Sequence, residues 1–487
     1  MTAATTVDRK NTLPVRNPRT GQVDYHITPP SAQEIKDTAA RLRENQKAWA
    51  AAPLAHRLTV LRTFADVVDK NRDAIARAEA LDTGRWRIAK ESPDALIWGI
   101  RGWADNAAAI LERAHLEGTS SIMPNVRYRT QLKPYPLLGV ISPWNFPLML
   151  STIDAIPALI AGCAVMIKPS EVTPRFVEPM MDCIRQVPEL AGVLTYVVGD
   201  GETGQNLIDE VDIVCFTGSV PTGRKVAEAC ARRFIPVFLE LGGKDPVIVT
   251  ENADVEKAAT SVLRGSVFAT GQICFSLERV YVQEKIYDRF VDTLVKKAEE
   301  IELNYPDMHQ GHIGPFIFHK QAAVVDEQLD EAVKRGAKIR TGGKSQNLGG
   351  GLYMRPTVVT DVTHDMKLIT DETFGPVMPV MKYKTEAEAV KLANDTIFGL
   401  SGAVIAGSEE EALRIGEQID AGGISLQDVT LTGAILRDAE KTSFNFSGMG
   451  GSRMGPASIL RFLRKKAIMT QTGTPTSMKD LPELPAA

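Results

Sequence analysis

From Leu137 onward, short β-rich runs alternate with helical stretches, and few architectures accept that pattern. The runs are Leu138–Ser142, Ala164–Lys168, Thr195–Val198, Ile213–Thr217 and Val237–Glu240. After Pro246 the alternation resumes with Pro246–Val249, Arg279–Gln283, Met354–Thr360 and Val377–Tyr383. A strand that leads through a helix to the next strand pairs in parallel, because the crossover returns the chain to the same end of the sheet. The pattern predicts two α/β units that meet just after Glu240.

Length agrees with more than one core, since 487 residues exceed what a single ordinary domain packs. Upstream, Asn17-Pro18-Arg19-Thr20-Gly21 is turn chemistry suited to an opening hairpin. Ser31-Ala32-Gln33-Glu34 reads as a capping box ahead of Ile35, Ala39 and Leu42 at helical spacing. Amphipathic helices then run to about Glu117, and Val126 to Lys133 alternates like a strand. Pro136 to Ile167 has the length of a membrane span, but Pro143, Pro147, Pro157, Asn145 and Asp154 interrupt it, so a buried strand–loop–helix is expected. The chain is 44% apolar and 24% charged with net charge −4, which leaves no basic excess for a nucleic acid. Met1 to Lys10 has no apolar stretch of a signal peptide. Five cysteines without a CxxC pair fit free thiols in a reducing, cytoplasmic setting. The tail from Gln471 reads as a flexible end or an arm on a partner subunit.

The chemistry concentrates in two short motifs. Glu240-Leu241-Gly242-Gly243-Lys244 is followed, 34 residues after its glutamate, by Cys274 within Gly271-Gln272-Ile273-Cys274. A thiol and a carboxylate, each in a glycine-flanked turn, suggest a covalent thiol mechanism in which Cys274 is the nucleophile and Glu240, in apolar surroundings, the general base. Asn145, between Pro143 and Pro147, offers an amide that stabilises an oxyanion without ionising. Cys163, Cys183, Cys215 and Cys230 read as small buried hydrophobes. His309, His312 and His319 lack metal-ligand spacing, and no metal is expected.

Three more motifs keep the same order: Pro143-Trp144-Asn145-Phe146-Pro147 and Lys168-Pro169-Ser170-Glu171 before the pair, and Glu372-Thr373-Phe374-Gly375-Pro376 after it. From about Asn17 to about Lys466 the chain resembles the aldehyde dehydrogenase superfamily. The resemblance implies two Rossmann-like parallel-sheet domains and a small β arm for a homodimer or homotetramer. The expected cofactor domain is 1–118 with 137–241, the catalytic domain 242–467, and the arm 119–136 with 468–487. It implies oxidation of an aldehyde to the acid with NAD(P), and adds the Cys274 backbone N–H as a second oxyanion donor. Glu240 is generally missing from members that pass the acyl group to coenzyme A, so hydrolysis is expected.

For the cofactor, the resemblance points to Trp144, Lys168, Ser170 and Glu171 at one end and to Glu372 and Phe374 at the nicotinamide ribose. Glu171 suits free ribose hydroxyls and so NAD, while Lys168 leaves NADP admissible. Gly199 to Gly204 matches GxGxxG, yet the resemblance places the pyrophosphate at the next turn, Gly218-Ser219, with Gly223 in the helix it opens. By local alignment Phe146, Leu150, Ile153, Ile273 and Phe275, with Phe444 or Phe446, wall the substrate pocket. The chain departs from the family at Lys441 to Phe446, where Pro-Phe-Gly-Gly is common, and at Gln427, where asparagine is. No arginine falls in the motif-adjacent segments, with Arg437 and Arg453 the nearest, and a buried carboxylate needs a cation. An aromatic or longer apolar aldehyde is therefore expected ahead of a succinic-semialdehyde-type substrate.

Overall fold

A computed structural model describes residues 12–481 and Glu483. The N-terminal stretch Met1 to Lys10 lies outside the described residues, as does part of the proposed arm. The opening turn forms a hairpin, Leu13–Arg16 with Val23–Ile27. Ser31 and Glu34 close the capping box on helix Ala32–Ala51. Helices Leu54–Lys70, Arg72–Thr83 and Trp86–Ala114 follow.

The first large sheet has six strands in the order Gly448–Met449, Val237–Glu240, Ile213–Thr217, Leu137–Ile141, Ala164–Lys168, Leu194–Tyr196. All pair in parallel except Gly448–Met449, which runs antiparallel to Val237–Glu240. Leu137–Ile141 and Ala164–Lys168 are buried almost throughout, as strands covered by helices on both faces must be. The strand order reverses between Leu137–Ile141 and Ile213–Thr217, and a ligand crevice is expected beyond the carboxyl ends at such a point.

The second large sheet has seven strands: Lys338–Thr341, Thr357–Thr360, Val377–Tyr383, Leu277–Gln283, Asp245–Val249, Ser401–Ile405, Gly423–Leu426. It too is parallel, apart from its edge strand Lys338–Thr341. A third, three-stranded sheet joins Leu463–Gln471, Val126–Pro134 and Glu117–Thr119. Its long strands are largely exposed. The fold is thus two Rossmann-like α/β sheets with a β arm.

The expected single catalytic segment 242–467 does not stay on one sheet. Gly448–Met449 returns to the first sheet. Arg453 and Arg461 then pair with the buried Asp154, and Arg453 also donates to Thr217 Oγ1 at 2.7 Å. The arm strand begins at Leu463. No hydrophobic periodicity in the segment announces this return; the ion pairs become visible only in three dimensions. Burial alone would raise the Asp154 carboxyl, but the two guanidinium groups outweigh it and hold it below the ordinary carboxylate range. Its stabilising effect is therefore complete above that range and is lost as pH falls below it. Asp154→Asn is expected to destabilise the fold by about 3–5 kcal/mol, because it leaves two buried cations without their partner. Denaturant melts of the two proteins measure this, and an unchanged midpoint would refute it.

Among the described residues, no helix is long and apolar enough to cross a membrane. Cys163, Cys183, Cys215 and Cys230 are buried in the core of the first domain.

Candidate active site

Residues Leu241–Lys244 carry the chain from the last parallel strand of the first sheet to the first strand of the second. Glu240 therefore sits at a carboxyl end of one sheet, and Cys274 sits just before strand Leu277–Gln283 of the other. The two meet across a cavity of about 940 Å³ that both line. Its walls include the carboxyl ends of three strands of the first sheet, at Ile141, Lys168 and Thr217. It lies where the reversed strand order predicts a crevice.

The turn before Cys274 is locally costly. Ala269, Thr270 and Gly271 take φ of 55°, 62° and 66° in succession. Two of the three are not glycine, and such backbone persists only where its surroundings over-determine it. A Cβ on Gly271 would meet Gly375 O at 2.2 Å, so the turn is stacked on the loop that carries Glu372 and Phe374. Phe374 itself has φ 52°. Gln272 is buried; its Oε1 accepts from Ile317 N and its Nε2 donates to Pro315 O. Burial pushes the Cys274 thiol up to about 12, while the ammonium of Lys441 pulls in the other direction. Cys274 keeps partial access to the cavity.

Asn145 follows strand Leu137–Ile141 in the loop bounded by Pro143 and Pro147. Its Nδ2 donates to Gln272 O at 3.0 Å, two residues before Cys274. An amide nitrogen has two protons, so the second remains for an oxygen in the cavity that Asn145 lines. The Glu240 carboxylate accepts from Ser443 Oγ at 3.1 Å. Its surroundings are therefore partly polar, in contrast to the apolar setting expected from the sequence.

At the far end, Lys168 is buried and its Nζ lies 3.1 Å from Glu171 Oε2, which is more exposed. Ser170 lines the same end. Both glycine turns reach the cavity, with Gly201 and Gly204 on one side and Gly218 and Ser219 on the other. They differ in charge. The Asp200 side chain caps helix Gly201–Glu210 by accepting from Glu202 N, placing a carboxylate where an anion would sit. Ser219 turns its hydroxyl to Thr222 and does not cap helix Val220–Arg233. That leaves a positive helix end for a phosphate. Gly223 is buried in this helix, and a Cβ there would meet Leu241 at 2.6 Å.

At the near end Glu372 Oε1 accepts from Gly243 N at 3.2 Å. Burial, then Glu278, raises the Glu372 carboxyl to about 8. In its neutral form it can both donate to and accept from sugar hydroxyls. The Trp144 and Phe374 rings lie 5.4 Å apart, edge to face. Sequence reasoning left Lys244 without a role and passed over Glu278. Buried Lys244 donates to Glu278 at 2.7 Å and to Thr373 Oγ1 at 2.8 Å. Glu278 in turn accepts from Thr373 N and Phe374 N, which fixes the loop. A charged pair inside adjoining motifs was the only signal for this network.

Phe146, Leu150 and Ile273 form one apolar cluster with Ala269, and Ile153 and Phe275 pack against it. Phe444 and Phe446 do not join it. They are 44% and 45% exposed, and Arg224 lies 4.6 Å over the Phe446 ring. Phe444 caps and Phe446 lies within the short helical turn Asn445–Ser447, which leaves both rings largely exposed. Gln427 accepts from Ala406 N at 3.0 Å and so braces strand ends. Arg437 donates to Trp98 O. Of the three histidines, His309 packs on Trp86 and His312 accepts from Glu302 N, while His319 opens helix His319–Lys334. Among the described residues no group of three or more His, Cys, Asp or Glu could hold a metal.

Residues 5–468 match the family model described as "Aldehyde dehydrogenase family". The chain is similar to a Mycolicibacterium smegmatis protein named as a putative NADP(+) succinate-semialdehyde dehydrogenase. The two are 32% identical over 468 residues, covering 95% of this chain and 90% of that one. It is 32% identical to a chloroplastic betaine aldehyde dehydrogenase of Amaranthus hypochondriacus, over 96% of this chain and 94% of the relative. Among solved structures, the putative aldehyde dehydrogenase PutA from Anabaena variabilis superposes with a TM-score of 0.93 at 50% identity, covering 96% of this chain and 99% of that one. The betaine aldehyde dehydrogenase of Staphylococcus aureus in complex with NAD+ gives a TM-score of 0.89 at 29% identity, covering 96% and 93%. The chain belongs to the aldehyde dehydrogenase family and is an NAD(P)-dependent enzyme of it.

Proposed function

We propose that the chain oxidises a small aldehyde carrying a carboxylate, of the succinic-semialdehyde type, to the corresponding diacid. Cys274 gives its thiol proton to water in the cavity, with the Lys441 charge favouring the anion, and the Sγ thiolate attacks the aldehyde carbon, while Asn145 and the Cys274 backbone N–H receive the oxyanion. Bound NAD(P) would supply the hydride acceptor. Glu240 then takes a proton from the water that attacks the thioester, and the carboxylic acid leaves. Lys168, Ser170 and Glu171 would hold the adenosine ribose, Gly218, Ser219 and Gly223 would shape the pyrophosphate turn, and Trp144, Glu372 and Phe374 would hold the nicotinamide ribose. A groove with ion-paired polar ends and an uncapped helix terminus between them fits that group. Glu171 favours NAD, and its pairing with Lys168 softens repulsion of a 2′-phosphate, so NADP is accepted less well.

The observation that favours the substrate reading is the loop of Lys441, whose Ser443 donates to Glu240 at the cavity. Lys441 is half-buried, and its charge pulls the Cys274 thiol down against burial. Its Nζ has a backbone carbonyl, Leu400 O at 3.3 Å, as a hydrogen-bond acceptor. The sequence favours an apolar aldehyde because no arginine falls in the motif-adjacent segments and because Phe444 or Phe446 is expected in the wall. Both grounds weaken here, and the name of the mycobacterial relative points the same way. The cluster around Phe146 and Ile273 still favours an aromatic or longer apolar aldehyde as the second reading.

Initial rates of NAD(P)H formation across carboxylated, aromatic and medium-chain aldehydes decide between them. The carboxylated set should have the higher kcat/KM, and Lys441→Met should raise its KM about tenfold, the loss of about 1.4 kcal/mol of binding. Faster turnover of the aromatic set would overturn this reading. The exposed three-stranded sheet has too little core to stand alone, which supports a role in a homodimer or homotetramer.

A further inference from the structure

On the side of Asn145 away from the cleft lies a buried guanidinium. Arg85, 4% exposed, follows the left-handed cap Gly84 that ends helix Arg72–Thr83. One arm donates to Asn145 O, and the other donates to Ala269 O at 3.3 Å. Its charged carbon lies 5.2 Å over the Phe146 ring, and its Nε has no protein partner.

The two carbonyls belong to different domains. Asn145 O is in the loop of the first sheet that carries the Asn145 amide. Ala269 O is in the strained turn that leads to the Cys274 backbone N–H. A guanidinium is a rigid planar fork, so it fixes the separation of the two groups it holds. Charge balance does not explain the residue. Glu79, the carboxyl whose charge would support Arg85, makes no ion pair with it, and burial raises Glu79 to about 8. Glu79 takes its hydrogen bond from Ser92 instead. A buried cation without an ionised partner is costly, and its placement needs another reason.

We propose that Arg85 is a positioning residue that sets the spacing between the two oxyanion donors, the Asn145 amide and the Cys274 N–H. The proposal rests on the reading of those two groups as the oxyanion site. With Arg85 shortened, each loop keeps its own backbone path but loses the common reference.

A double-mutant cycle tests this on the full-length enzyme with saturating aldehyde and NAD(P). Arg85→Met is expected to lower kcat ten- to a hundredfold with little change in KM for NAD(P). In an Asn145→Ala background the same change should cost less than about twofold, because the donor it positions is gone. Arg85→Lys, which reaches only one carbonyl, should fall between, and it replaces the methionine variant in the cycle if that fails to fold. Equal fold-losses in both backgrounds would mean a merely structural role and overturn the proposal. So would full kcat in Arg85→Met beside a crippled Asn145→Ala, which leaves the oxyanion reading intact. Full kcat in Asn145→Ala would overturn that reading and the proposal with it.

Discussion

Cys274→Ala is expected to lower aldehyde oxidation by about 10⁴-fold or more, to background, while NAD(P) binding stays at its wild-type affinity. The separation of effects follows from the cavity. The thiol lies at one end, while Lys168 and Glu171 lie at the other beyond the Gly218–Ser219 turn. The other four cysteines cannot substitute, since they are buried in the first domain's core. Burial raises Cys163 to about 12, and Cys183 and Cys230 to about 11. Calorimetric titration of the cofactor beside a turnover assay checks both halves. Retained turnover would remove Cys274 from the chemistry, and lost cofactor affinity would mean that the substitution disturbs the groove.

Glu240→Gln should give a different signature. Attack and hydride transfer precede the step assigned to Glu240, so the first turnover proceeds and the thioester then accumulates. The expected result is a burst of about one NAD(P)H per active site, then a steady rate lower by about 10²–10⁴-fold. The amide keeps an acceptor oxygen for Ser443, so the loop at Lys441–Phe446 keeps its contact with the site. Rapid mixing resolves the phases. A vanished burst would place Glu240 before hydride transfer, and an unaltered steady rate would place the base elsewhere. Recovery of turnover on adding coenzyme A, with acyl-CoA as product, would support an acylating dehydrogenase.

The residues that meet at this cavity were readable because each belongs to a short segment with its own local logic. Glycines flank Glu240 and Cys274, prolines bracket Asn145, and Lys168-Pro169-Ser170-Glu171 follows a run that could only be a buried strand. The strand alternation gave the two sheets for the same reason. Features held by distant pairs were not legible. Arg85 reaches Asn145 and Ala269 from 60 and 184 residues away, and nothing around Thr83-Gly84-Arg85 encodes that reach. The return of Gly448–Met449 to the first sheet is set by strand pairing and by Asp154, not by periodicity. Local alignment places Phe444 or Phe446 in the wall, but it is weakest at Lys441–Phe446, where the chain departs from the family pattern, and apolar character does not decide burial in a loop.

The chain passes between the two sheets twice in the same place, and the two passages are tied together. Leu241 N donates to Ser447 O at 2.8 Å, and Ser447 Oγ donates to Gly242 O at 2.7 Å and accepts from Gly399 N. A lone connector swivels, whereas a paired one resists both twist and spread. The halves of this enzyme are therefore not a jaw. The gap between Glu240 and Cys274 is expected to be fixed when the chain folds, with entry and exit left to side chains and rim loops.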